Sequence, residues 1–225
     1  MNAYALGARL GLSRLRTRTA LAAGVVALVV VSLVSLIERL QDRALAVDRS
    51  LSGAAFGLCL PLLCFACFEL GLGRNDLTRA VAPLARHGQP RPALASGLIA
   101  TIAATSAACG ALLGVLAVVL SQRPGHPRFV SDLIAVVWIG ALAGAAYTGL
   151  FTLGSRWRRG RLWLLVGDWL LGSGTGFLAL PWPRGHARNL LGFAPVLELS
   201  QASAALALLL LVLAGFFMAT RSLAR

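Results

Sequence analysis

Long apolar runs alternate along this chain with short polar stretches that carry arginine. Six runs stand out, at about 20–37, 51–72, 94–121, 131–154, 161–181 and 200–220. Each is close to the roughly 20 residues that a helix needs to cross about 30 Å of hydrocarbon. No segment has the ten-residue alternation of a membrane β-barrel strand. The pattern predicts an all-α polytopic protein, with six transmembrane helices in a single domain over residues 1–225. The first run follows four arginines, as a signal peptide would. Its apolar core is longer than an h-region, so an uncleaved anchor is expected.

Composition agrees with this picture. Of the 225 residues, 58% are hydrophobic and only 13% are charged. A soluble chain with so few charges could not cover its own surface. All 21 basic residues are arginine. Without lysine the chain has no P-loop, whose lysine reaches the β- and γ-phosphates, and no Schiff base. The net charge of +13 would suit nucleic acid only if it formed a basic face on a folded domain. Here the arginines are scattered over short connecting loops, and no nucleic-acid partner is expected. Cys59, Cys64, Cys67 and Cys109 all lie inside apolar runs, where cysteine acts as a small hydrophobe. The Cys64-x-x-Cys67 pair lacks the further ligands of a zinc site.

The arginines give the chain a direction. Arg9, Arg14, Arg16, Arg18, Arg74, Arg79, Arg86, Arg91, Arg156, Arg158, Arg159, Arg161, Arg221 and Arg225 fall on one side of the six runs. Arg39, Arg43, Arg49, Arg123, Arg128, Arg184 and Arg188 fall on the other. The positive-inside rule then places both termini in the cytoplasm of a bacterial inner-membrane protein. Glu38, Asp42, Asp48, Asp132 and Glu198 lie on the outer side. Trp157, Trp163 and Trp182 flank the fifth run as interfacial anchors.

Two loops have more pattern than a solvated connection needs. In residues 68–97, Asn75 or Asp76 can cap a helix. Leu77, Val81 and Leu84 then recur on one helical face, with Arg79 and Arg86 off the stripe. Pro83 should kink this helix, Gly88 can end it, and Pro90 and Pro92 open the next span. The result is a short amphipathic helix over 76–88, shaped either to dock on a partner or to lie on lipid headgroups. Residues 182–197 hold Leu190, Leu191, Phe193, Val196 and Leu197 between prolines and glycines. They predict one or two short segments dipping into the outer leaflet and packed on protein.

The succession Glu69, Asp76, Leu77, Pro83-Leu84, Arg86, Gly88, Pro90-Arg91 and then a helix rich in small residues resembles the cytoplasmic segment of ABC-2-type (type V) ABC transporter permeases. The small six-span membrane subunits of that family are the nearest in length. The resemblance implies a permease subunit, an exporter by direction, that homodimerises and couples to a separate P-loop ATPase. It makes Glu69, Asp76, Leu77, Arg79, Val81, Leu84 and Arg86 the ATPase-coupling residues. It also implies an interfacial helix near residues 3–17 and re-entrant helices at 182–197. ATP is expected on the partner, so the chain itself needs no cofactor or metal and is not expected to be an enzyme. Residues 3–17 are weakly amphipathic, because Leu12 and Leu15 do not share a face with Leu6 and Leu10.

Within the membrane, Asp168 is the conspicuous polar group, because a carboxylate at that depth needs a partner or water. Its options are contact with substrate or protons, pairing with Arg159 or Arg161, or a hydrogen bond within the bundle. Glu69 is expected to pair with an arginine, either to fix the coupling loop or for structure alone. The small-residue patterns at 140–144 and 172–176 suit close helix approach and a homodimer. Ser173 would need a histidine base to act as a nucleophile, and His186 belongs to an outer loop. A non-transporting scaffold or assembly factor is the alternative function. An enzyme acting on lipids would need a catalytic constellation that the sequence does not display.

Overall fold

The computed structural model describes residues 2–41, 46–73, 75–122, 125–157, 159–193 and 195–221. Asp42, Arg43, Arg74, Arg123, Arg158 and Arg225 of the charge pattern lie outside the described residues. Among those described there are only helices and turns, as the apolar runs predict. Helix α1 spans Ala3–Leu15, α2 Arg18–Leu40 and α3 Ala46–Arg49. A π-helical segment, Ser50–Cys59, joins α3 to α4, Leu60–Leu72. Then follow α5 (Leu77–Ala85), α6 (Arg91–Ser121), α7 (Phe129–Gly154), α8 (Gly160–Leu171), α9 (Pro183–Leu190) and α10 (Gln201–Arg221).

Five stretches are long and apolar enough to cross a membrane: α2, the stretch that begins at Ala46, α6, α7 and α10. They match five of the six expected runs to within a few residues. The run at 161–181 is not one helix. Helix α8 has 12 residues and stops at Gly172, so it rises only about 18 Å. The glycines of 172–176 account for the stop, because each weakens a helix and the three in alternation, Gly172, Gly174 and Gly176, leave little side chain to pack. This segment is therefore a break in the helix, not the close-packing surface expected there.

The core lies between α4, α6 and α7. Gly110 of α6 and Gly140 of α7 face each other so closely that a Cβ on either would overlap the other's carbonyl. Gly144 meets the Ser106 carbonyl in the same way. The 140–144 pattern is thus consumed inside one chain and is not a free surface for a second copy. Gly149 and Gly215 form a similar contact between α7 and α10. Phe65, Phe68 and Tyr147 gather around Phe151, with ring centroids 5.5 to 6.1 Å apart.

These contacts fix the direction of the helices. Gly110 and Gly114 of α6 meet Gly140 and Val136 of α7, so the two run antiparallel. Arg156 reaches Met218 and Gly149 meets Leu211, so α7 and α10 run the same way. The ends of α4, α7 and α10 and the starts of α2, α6 and α8 therefore gather at one end of the bundle.

Helix α1 packs closely on the rest of the protein. It buries Ala3, Gly7, Gly11 and Leu15, one residue per turn. Gly7 sits on Leu94 and Gly97 of α6 sits on Tyr4, backbone against backbone. The weak apolar stripe of 3–17 had hidden a strip of small residues, which lets two backbones meet and needs no large side chain. At 31 residues, α6 is about 46 Å long, more than a bilayer core requires. Its first turns form the shelf that α1 occupies.

Candidate coupling surface and a buried carboxylate

Helix α5 is built as the sequence predicts. The Asp76 carboxylate accepts the Arg79 backbone N–H at 2.7 Å and forms an ion pair with the Arg79 side chain at 3.5 Å. Asn75 is not the cap; its amide donates to the Gly73 carbonyl instead. Pro83 lies inside the helix, whose last turn closes through Arg86 N–H to the Ala82 carbonyl. Gly88 follows with φ of 78°, the left-handed conformation that suits glycine at a helix end.

The apolar stripe does not face outward. Leu77 is 6% exposed and Val81 is fully buried, both within the main core, and Leu84 packs against it. This corrects the expectation that Leu77, Val81 and Leu84 form a docking face. A nine-residue helix has one apolar stripe, and the protein's own α6 has taken it. What α5 offers outward is Asp76, Thr78, Arg79, Pro83, Arg86 and His87, all exposed.

Two contacts hold α5 and the end of α4 in place. The Arg14 guanidinium donates to the Gly71 carbonyl at 3.1 Å and to the Ala80 carbonyl at 3.2 Å. One side chain thereby satisfies the free carbonyl at the end of α4 and clamps α5 against α1. Burial lowers the Arg14 pKa from its ordinary value, yet an arginine stays charged under such a shift. Glu69 pairs with Arg161 of α8 at 3.2 Å, and the Arg161 guanidinium also lies over the Phe68 ring, 5.8 Å from its centroid. Glu69 thus finds its arginine partner, which ties α4 to α8. In the sequence Arg14 counted only for its charge, and Arg161 stood as a candidate partner of Asp168, not of Glu69. Nothing in a single sequence marks a cation whose partners are two distant carbonyls.

Asp168 is fully buried, and neither Arg159 nor Arg161 is its partner. The Tyr147 hydroxyl donates to one carboxylate oxygen at 2.8 Å. The backbone N–H of Arg184 donates to the other at 3.2 Å. Of the three options, the hydrogen bond within the bundle is the one the geometry displays. Arg184 is the second residue of α9, after Pro183, so the carboxylate meets the free N–H groups that open a helix. Tyr147 is the partner that sequence reasoning missed. Its signal was faint: a tyrosine deep in an apolar run needs somewhere to place its hydroxyl.

Helices α8 and α9 form a bent unit around this carboxylate. Arg188 donates to the Ser173 carbonyl, and the Leu197 N–H donates to the Thr175 carbonyl at 2.8 Å. His186 Nε2 donates to the Leu180 carbonyl at 2.7 Å, so that nitrogen is not available as a base for Ser173. Asn189 donates to the Leu199 carbonyl at 2.8 Å, which leads the chain into α10. Residues 182–197 are therefore short segments packed on protein, with Pro183, Gly185, His186, Ala187, Asn189 and Leu190 buried. Trp182 is half-buried, packed over Gly167 and against the core. Trp157 and Trp163 are 66% and 68% exposed.

Cys59, Cys64 and Cys67 are buried, Cys109 is half-buried, and all four are free. Among the described residues no three acidic, histidine or cysteine side chains cluster to hold a metal. No protein-family model matches the chain, and no curated protein or solved structure matches it.

Proposed function

We propose that this chain is the membrane-spanning permease subunit of an ATP-driven ABC transporter of the ABC-2 type, an exporter. Two copies form the pathway, and each binds one P-loop ATPase subunit. ATP is bound and hydrolysed on that partner. Each copy crosses a bacterial inner membrane six times with both termini in the cytoplasm. The bent α8–α9 unit supplies the sixth crossing.

The observation that carries this reading is α5. It is a capped helix at the end of the bundle where the arginine-rich segments lie. Its apolar face is locked to α6 and its polar face is free. Arg14 joins it to α1 and α4, and Glu69 joins α4 to α8. A push on α5 would reach three other helices through side chains that are already engaged. That is the construction a coupling element needs.

The same features would serve a scaffold or assembly factor that binds no ATPase. Purification of the tagged chain from membranes in mild detergent, with mass spectrometry of what accompanies it, separates the two. A stoichiometric P-loop ATPase is expected. It should be lost on the double change Arg79→Glu and Arg86→Glu, which alters only the exposed face, while the variant still inserts. A chain that purifies alone, under conditions that preserve transporter complexes, would favour the scaffold.

A further inference from the structure

An apolar groove of about 280 Å³ runs between α2 and the α4–α6 pair. Leu15, Leu63 and Cys67 form its buried floor, and Leu21, Val25 and Leu28 of α2 form one wall. Gly24 stands in the middle of that wall. A Cβ there would meet nothing within 4 Å. Glycine inside a helix is unfavourable. Gly7, Gly97, Gly110, Gly140, Gly144 and Gly149 each meet a neighbouring backbone, and Gly11, Gly71 and Gly167 each meet a neighbouring side chain. Gly24 has no such neighbour in its own chain.

Two exposed arginines, Arg16 and Arg18, lie next in sequence to the groove residues Leu15, Ala20 and Leu21. Leu21, Val25 and Leu28 follow Arg18 at helical spacing, so Arg18 heads the same face of α2. Arg16 and Thr17 form the elbow between α1 and α2, where the Thr17 hydroxyl accepts the Ala20 N–H. Arg16 and Arg18 are both exposed. Arg14, two residues earlier, is turned away to Gly71 and Ala80. A second apolar groove lies farther along both helices, between Ala23, Val26, Ala27 and Val30 of α2 and Leu58, Cys59, Leu62 and Leu63.

We propose that the groove between α2 and the α4–α6 pair binds one anionic phospholipid. Arg16 and Arg18 hold its headgroup, and one acyl chain lies along Leu21, Gly24, Val25 and Leu28. Charge decides between a lipid and a second copy of the chain. A second copy would bring its own arginine-rich end to this mouth, whereas an anionic headgroup neutralises it. Each arginine near an anionic headgroup is worth roughly fivefold in affinity, so the pair gives about 25-fold. The proposal needs only the membrane location of the chain and is independent of transport.

The test is native mass spectrometry of the chain released from nanodiscs of phosphatidylcholine doped with phosphatidylglycerol. One phosphatidylglycerol per chain is expected, retained about 25-fold over phosphatidylcholine. Arg16→Gln with Arg18→Gln should erase that preference. Gly24→Leu, which fills open space and so leaves the fold intact, should reduce retention of either lipid. Equal retention of the two lipids by the unaltered chain overturns the proposal. So does phosphatidylglycerol retention that survives both variants. A dimer that Gly24→Leu alone dissolves would assign the groove to a second copy and overturn it as well.

Discussion

At the scale of single residues, the buried carboxylate decides most. Among the described residues Asp168 forms no salt bridge with Arg159 or Arg161. It has a tyrosine hydroxyl and a backbone N–H from the start of α9. An unpaired charge in so apolar a place would be costly, and two donors offset that. Tyr147→Phe keeps the ring packing on Phe151 and removes one donor. We expect a loss of about 1–3 kcal/mol, the cost of stripping a partner from a buried acceptor. The check is the thermal unfolding midpoint in detergent. An unchanged midpoint would mean that the pair does not hold α8 to α7. The sequence showed Asp168 as a group in need of a partner. It could not show which, because Tyr147 lies 21 residues away on another helix.

At the scale of elements, α5 separates local from global information. Its cap, its apolar stripe and its end were legible in residues 76–88, because capping and helical spacing act within one or two turns. The destination of the stripe was not. Leu77 and Val81 are sealed against the protein, so a change there tests folding before it tests docking. Leu77→Asp should bury a charge without a partner and lower both yield and unfolding temperature. Arg79→Glu, on the exposed face, should leave both within error. Measuring the two variants side by side checks this; equal stability would place Leu77 on the surface. Helix α1 teaches the same lesson in reverse. Its Ala3-Gly7-Gly11 strip reads as weak amphipathicity, yet its small size is what lets α6 approach.

At the scale of the whole molecule, helices are locked by backbone contact in the middle and by polar clasps at the ends. Arg14 and the Glu69–Arg161 pair close one end. At the other, Gln122 donates to Asp132 at 3.1 Å and Arg49 lies 3.9 Å from Glu38. The Glu69–Arg161 pair is half-buried, so its worth is modest. Glu69→Arg or Arg161→Glu alone should each weaken the fold, and the exchanged pair should recover most of the loss. A double-mutant cycle on unfolding free energies should give a coupling of about 1 kcal/mol. A coupling indistinguishable from zero would mean that α4 and α8 are not linked there.

The sequence by itself determined the class of this protein and nearly all of its long helices. Length and apolarity are properties of a segment alone, and a bilayer-sized run of about 20 residues permits little but a helix. It also determined the caps and breaks, which depend on neighbours within a turn. Only the tertiary structure decided that α9 opens on Asp168 and that the 140–144 glycines pack against α6. Only it turned the stripe of α5 inward. These outcomes depend on which surfaces meet across tens of residues of chain. An apolar face looks the same in sequence whether lipid or protein will cover it.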